Sequence, residues 1–83
     1  CKPGEGYKLV LEGAVTKDGE MACDPSGGVL CTNPIGASGL IRVAEAALQI
    51  MGEASNQVDG SETALAHAMG GVNQFNGLMI LGR

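Results

Sequence analysis

Aromatic residues are nearly absent from this 83-residue chain: one tyrosine, one phenylalanine and no tryptophan. Single-stranded nucleic acid is gripped largely by stacking bases on aromatic rings, so that class of ligand finds little purchase here. Basic residues are scarce too. Five Lys and Arg stand against nine Asp and Glu, for a net charge of −4. They are scattered rather than clustered, which argues against nucleic acid and anionic membrane surfaces as partners. No apolar run is long enough to span a bilayer, and the opening residues do not read as a signal peptide. The three cysteines lack C-x-x-C spacing. Free thiols in a reducing, cytoplasmic setting are the expectation. The chain also opens Cys1-Lys2-Pro3-Gly4, without Met. This leads to the expectation that it is a piece of something longer.

What is present centres on Asp24 to Gly39, D-P-S-G-G-V-L-C-T-N-P-I-G-A-S-G, which is rich in glycine and holds two of the three prolines. Such a loop, feeding a helix, brings backbone N–H groups close to a substrate. Pro34 suits a first helical turn, and Thr32 or Asn33 is a candidate N-cap. From Leu40 to Met51 only Arg42, Glu45 and Gln49 are polar. Their spacing puts them in one narrow stripe on an otherwise apolar rod. The pattern predicts a helix buried nearly all round, with more protein needed to cover it. Gly52 closes it.

The flanks are less distinct. Leu9-Val10-Leu11 is too short for periodicity to separate a helical turn from a strand. Residues 14–22, with the Asp18-Gly19 turn pair, read equally as a small hairpin with Val15 and Met21 inward or as a surface loop. Glu53 to Glu62 reads as exposed loop. Thr63 to Ala68 reads as a strand carrying His67, the single histidine. A Gly70-Gly71 bend follows. Alternation from Asn73 onward, ending in Leu78–Leu81, predicts a last strand covered on both faces at its end and antiparallel to the first.

The ordered set D-P-S-G-G, N-P-I-G-A-S-G, an apolar helix, then A-H-A-M-G-G and a final strand resembles the C-terminal end of the thiolases. The branch it is most similar to includes those related to sterol carrier protein and to archaeal acetoacetyl-CoA thiolases. The opening P-G-E-G, residues 3–6, is similar to that branch as well. The resemblance covers nearly the whole chain and implies an α/β fold. Residues 1–83 would be part of the C-terminal domain of a five-layer α/β/α/β/α protein. They would supply a loop, one buried helix and a terminal strand pair.

The resemblance further implies acyl transfer from a coenzyme A thioester through a cysteine thioester, with no other cofactor and no metal. The nucleophilic cysteine would lie upstream of Cys1. The rest of the thiolase chain or a partner subunit would complete the site, in a homo-oligomer. Two departures from the family pattern stand out. Its G-H-P is Thr32-Asn33-Pro34 here, and its H-N-x-G-G is His67-Ala68-Met69-Gly70-Gly71. Asn33 can donate a hydrogen bond to a thioester oxygen but cannot shuttle a proton. His67 stands where many thiolases carry a second, proton-shuttling cysteine.

The resemblance thus makes His67 and Asn33 the candidate catalytic residues. Backbone N–H groups at Met69, Gly70 and Gly71 are candidate oxyanion donors. Pro34, Gly36, Ser38 and Gly39 are the candidate substrate loop. Each has a plainer alternative: Asn33 as a turn and cap residue, His67 as a satisfied strand residue, the glycines as a tight bend. Cys31 has no base near it in sequence and reads as a buried free thiol. The glycine loop lacks a Gly-Lys-Ser/Thr ending, which argues against an NTPase. A non-catalytic thiolase-like subunit, or a diverged retro-aldolase or acyltransferase working with a partner, are the competing functions.

Overall fold

A computed structural model describes residues 1–28, 31 and 34–83. The element order is α1 (Gly6–Leu11), a 3₁₀ turn (Ile35–Ala37), α2 (Ser38–Met51), β1 (Thr63–Gly70) and β2 (Phe75–Gly82). The ambiguous Leu9–Leu11 run is therefore helical. Residues 14–22 form successive turns rather than a paired hairpin. Backbone hydrogen bonds from Met21 to Ala14 and from Cys23 to Val15 tie their ends together. Met21 is exposed, not inward.

Helix α2 is the long element, with 14 residues. It starts at Ser38, two residues before the expected Leu40, because the 3₁₀ turn runs straight into it. Ala37 is its N-cap and makes no side-chain cap bond. The expected caps, Thr32 and Asn33, lie outside the described residues. The C-terminus matches expectation. Gly52 takes a left-handed φ of 77°. Glu53 N–H then reaches back to the Leu48 carbonyl at 2.9 Å. This is the glycine-ended helix stop that only a residue without Cβ adopts cheaply.

β1 and β2 pair antiparallel, with Thr63 opposite Gly82, His67 opposite Leu78 and Gly70 opposite Phe75. The expected Gly-Gly bend is displaced: Gly70 still belongs to β1, and residues 71–74 make the turn. Val72 and Asn73 both take positive φ there. Side chains alternate between faces along a strand. Ala66 is buried, and Ala68 lies against Gly39 of α2. The even-numbered alanines of β1 therefore face the helix. Leu65, His67 and Met69 face the other way.

Burial agrees with the expectation that α2 needs more cover than these residues provide, and corrects the one that the end of β2 is covered on both faces. Within this chain α2 is covered on one side only: Ala46, Gln49 and Ile50 are its buried residues. Leu40 is 74% exposed and Met51 59%. The end of β2 is bare as well, with Leu78 and Ile80 exposed. The polar stripe explains the orientation. Arg42, Glu45 and Gln49 point toward the chain's own strand and loop, so the apolar flanks are the sides left open.

Residues 53–62 are loop and mostly exposed, as expected, but are tied to α2 through Gln49. Its side-chain oxygen accepts from Val58 N–H at 2.9 Å, and its amide nitrogen donates to the Asn56 carbonyl at 2.9 Å. Gln57 Nε2 and Ser61 Oγ both donate to the Gln49 carbonyl, each at 2.9 Å. A buried amide thus satisfies loop backbone groups that would otherwise lack partners. Replacing Gln49 by Leu orphans a donor and an acceptor together. The expected cost is about 1–3 kcal/mol. Hydrogen exchange at the Val58 amide should accelerate to match, while the β1–β2 amides keep their protection.

The chain's own core is small. Among the described residues, the buried apolar ones are Ala46, Ile50 and Ala66. A fully buried Ile contributes roughly 1.5–3 kcal/mol and an Ala far less. Ordering backbone costs about 1–2 kcal/mol per residue. The isolated 83 residues should therefore give no cooperative, monomeric thermal transition by calorimetry or circular dichroism. A sharp two-state transition of the monomer would show that the open faces of α2 and β2 need no cover.

Candidate active site

The candidate site lies where α2 begins against the middle of the strand pair. Three small residues, Gly39, Ala68 and Gly77, make that approach close. Ala68 and Gly77 are directly opposite in the sheet. A Cβ built on Gly39 would stand 3.0 Å from the Ala68 methyl. No larger side chain fits between helix and strand there without displacing one of them. An open groove of about 350 Å³ results, lined by Gly39, Leu40, Val43, His67, Ala68 and Leu78 among others.

His67 is held at both its backbone and its ring. Arg42 on α2 donates to the His67 carbonyl at 2.8 Å. The ring Nε2 meets Asn76 Oδ1 at 2.8 Å. Asn76 opposes Met69 in the register, so it sits diagonally from His67 on the same face. Such diagonal neighbours are within reach of polar side chains. Asn76 Nδ2 in turn donates to the Asn73 carbonyl at 3.3 Å. His67 is exposed rather than enclosed among Leu and Ile side chains.

The other candidate residues are distributed around this centre. Gly39 lines the groove beside the His67 backbone, and the His67 ring is on the opposite face of the sheet. Pro34, Gly36 and Ser38 form the approach to α2 and do not line the groove. Ser38 Oγ donates to the Ile35 carbonyl at 2.8 Å, closing the 3₁₀ turn. Ile35 carries a left-handed φ of 49° and is 80% exposed. For a β-branched residue that conformation stores roughly 1–3 kcal/mol of strain, a cost found often at ligand loops. Met69 and Gly70 are paired within the sheet opposite Asn76 and Phe75, and Gly71 opens the turn. Asn33 lies outside the described residues. Cys31 is exposed, contrary to the expectation of burial, and all three cysteines are free.

Residues 1–83, the whole chain, match the model of the family described as "Thiolase C-terminal domain-like". The chain belongs to the thiolase C-terminal domain-like family. Its α/β arrangement of one long helix on an antiparallel strand pair fits that family. Among curated proteins it is similar to sterol carrier protein 2 of Homo sapiens, 42% identical over 72 residues. That match takes in 84% of this chain and 13% of the relative. It is also 35% identical over 82 residues to the acetyl-CoA acetyltransferase of Methanothermobacter thermautotrophicus, covering 96% of this chain and 21% of that protein. Non-specific lipid-transfer protein-like 2 of Caenorhabditis elegans is 32% identical over 72 residues, covering 84% of this chain and 18% of the relative. The chain thus spans only about an eighth to a fifth of the length of these relatives.

Arg42 and Asn76 are the two contacts to His67 that sequence reasoning missed. Arg42 reads as part of a polar helix stripe, and Asn76 as the polar half of an alternating strand. No helix among the described residues is long and apolar enough to cross a membrane.

Proposed function

We propose that this chain supplies the C-terminal active-site loops of a thiolase-type acyltransferase acting on coenzyme A thioesters. The observation that carries the reading is His67, on a chain of this family. Its ring is exposed and tethered by Asn76 on the sheet face turned away from α2, while its backbone lines the groove and is held by Arg42. In the proposed reaction a cysteine thiol from the rest of the protein adds to the thioester carbonyl carbon. Its proton passes to a base, the carbon–sulfur bond to coenzyme A breaks, and the released thiolate is protonated. His67 moves protons on the side facing the second acyl-CoA. Asn33 and backbone N–H groups of Met69, Gly70 and Gly71 stabilise the oxygen on which charge develops. The thioester is substrate, and no further cofactor takes part. The same proposal includes a homo-oligomer in the cytoplasm, with the rest of the chain or a partner subunit covering the open faces of α2 and β2.

Mass spectrometry of the intact protein after brief incubation with acetyl-CoA tests this reading. An acetyl thioester on a cysteine other than Cys1, Cys23 and Cys31 is the expected product. One observation favours a second reading: Asn33 stands where the family motif has histidine. A non-catalytic thiolase-like subunit, or a retro-aldolase or acyltransferase partner, would form no such thioester on its own while still assembling with a second protein.

A further inference from the structure

We propose that Asn76 is the positioning residue of His67: it fixes the ring in the Nε2–H tautomer and leaves Nδ1 as the proton-accepting nitrogen. This rests on the acid–base role given to His67 above. The orientation of the Asn76 amide decides the matter. Its Nδ2 donates to the Asn73 carbonyl at 3.3 Å, and a carbonyl can only accept. That turns Oδ1 toward His67, 2.8 Å from Nε2. Oδ1 also can only accept, so Nε2 must carry the hydrogen. Neutral imidazole holds one N–H, so the lone pair is on Nδ1. Nδ1 has no hydrogen-bond partner among the described residues, and the ring is exposed.

The geometry is set by the hairpin rather than by chance contact. Asn73 belongs to the turn and takes a φ of 69°, while Asn76 lies just inside β2. Turn, amide and imidazole form a chain of two hydrogen bonds along one face of the sheet. The Arg42 bond to the His67 carbonyl fixes the strand beneath the ring at 2.8 Å. The ring is thereby restrained in both rotation and tautomer, which an acid–base group needs in order to present the same nitrogen at each turnover.

The test is the ¹⁵N spectrum of histidine-labelled intact protein, with the His67 signals assigned by their loss in His67→Gln. Above its titration, His67 in the wild type should show a pyrrole-like Nε2 and a pyridine-like Nδ1. Asn76→Leu should give a mixture of tautomers and lower kcat by about 10-fold or more, a part of what a general acid–base contributes. KM should change little. Asn76→Asp keeps an accepting Oδ1 and should restore the tautomer. A wild-type His67 that is Nδ1–H, or a tautomer unmoved in a folded Asn76→Leu, overturns the proposal. The wild-type spectrum alone decides the tautomer if the Leu variant does not fold. Rate and tautomer separate the two ideas: an unchanged His67→Gln rate counts against the acyl-transfer reading, and a free tautomer counts against Asn76.

Discussion

His67→Gln in the intact protein should slow acyl transfer by about 10²–10⁴-fold, the usual contribution of a positioned general acid–base. Gln keeps a polar, planar side chain that can still hydrogen-bond near Asn76, but it cannot take or give a proton near neutral pH. The folded state should be nearly untouched. His67 is exposed, so its loss opens no cavity, and the Arg42 bond goes to its backbone carbonyl rather than its ring. A denaturant midpoint equal to the wild type, together with the rate loss, separates chemistry from stability. An unchanged rate would reduce His67 to a surface strand residue tied to Asn76.

The next largest effect is expected at Asn33. As a donor to the thioester oxygen, it should cost ~10²–10³-fold in rate when replaced by Ala, the range for losing one oxyanion-hole donor. The loss should fall on kcat more than on KM, because the bond strengthens as charge develops on the oxygen. As a turn and cap residue alone, it would instead cost about 0.5–2 kcal/mol of stability with the rate per folded molecule unchanged. Steady-state kinetics and a melting curve on the same preparation distinguish the two outcomes.

The elements with strong local grammar were legible in the sequence. The apolar rod ending at Gly52 is α2, because glycine alone takes a left-handed helix stop at no cost. The strand with His67 and its antiparallel partner follow from alternation and the intervening turn residues. What was not legible depends on how elements meet. The stripe of Arg42, Glu45 and Gln49 reads in the sequence only as a narrow polar line on an apolar rod. Yet Gln49 turns inward because the loop after α2 needs partners for Val58 N–H and the Asn56 carbonyl. The bend moved past Gly70 because the sheet continues to Phe75, leaving Val72 and Asn73 to take the positive φ angles.

The candidate site divides in the same way. Gly39 and His67 were each noticeable, the first by the loop-to-helix pattern and the second as the single histidine. The groove that Gly39 shares with the His67 backbone comes from the close packing of Gly39 on Ala68, which no local pattern encodes. Asn76 and Arg42 were invisible as site residues. A diagonal cross-strand contact and a helix-to-strand carbonyl bond are both products of tertiary placement. The exposed apolar flanks of α2 and β2 agree with the sequence expectation that this helix needs more cover than these residues provide.

Exchange of labelled free coenzyme A into acetyl-CoA tests the central claim most directly, since it needs only formation and reversal of the acyl-cysteine. The intact wild-type protein should catalyse this exchange. An intact, folded wild-type protein that exchanges no label would contradict the claim that this chain belongs to a working acyl-CoA transferase.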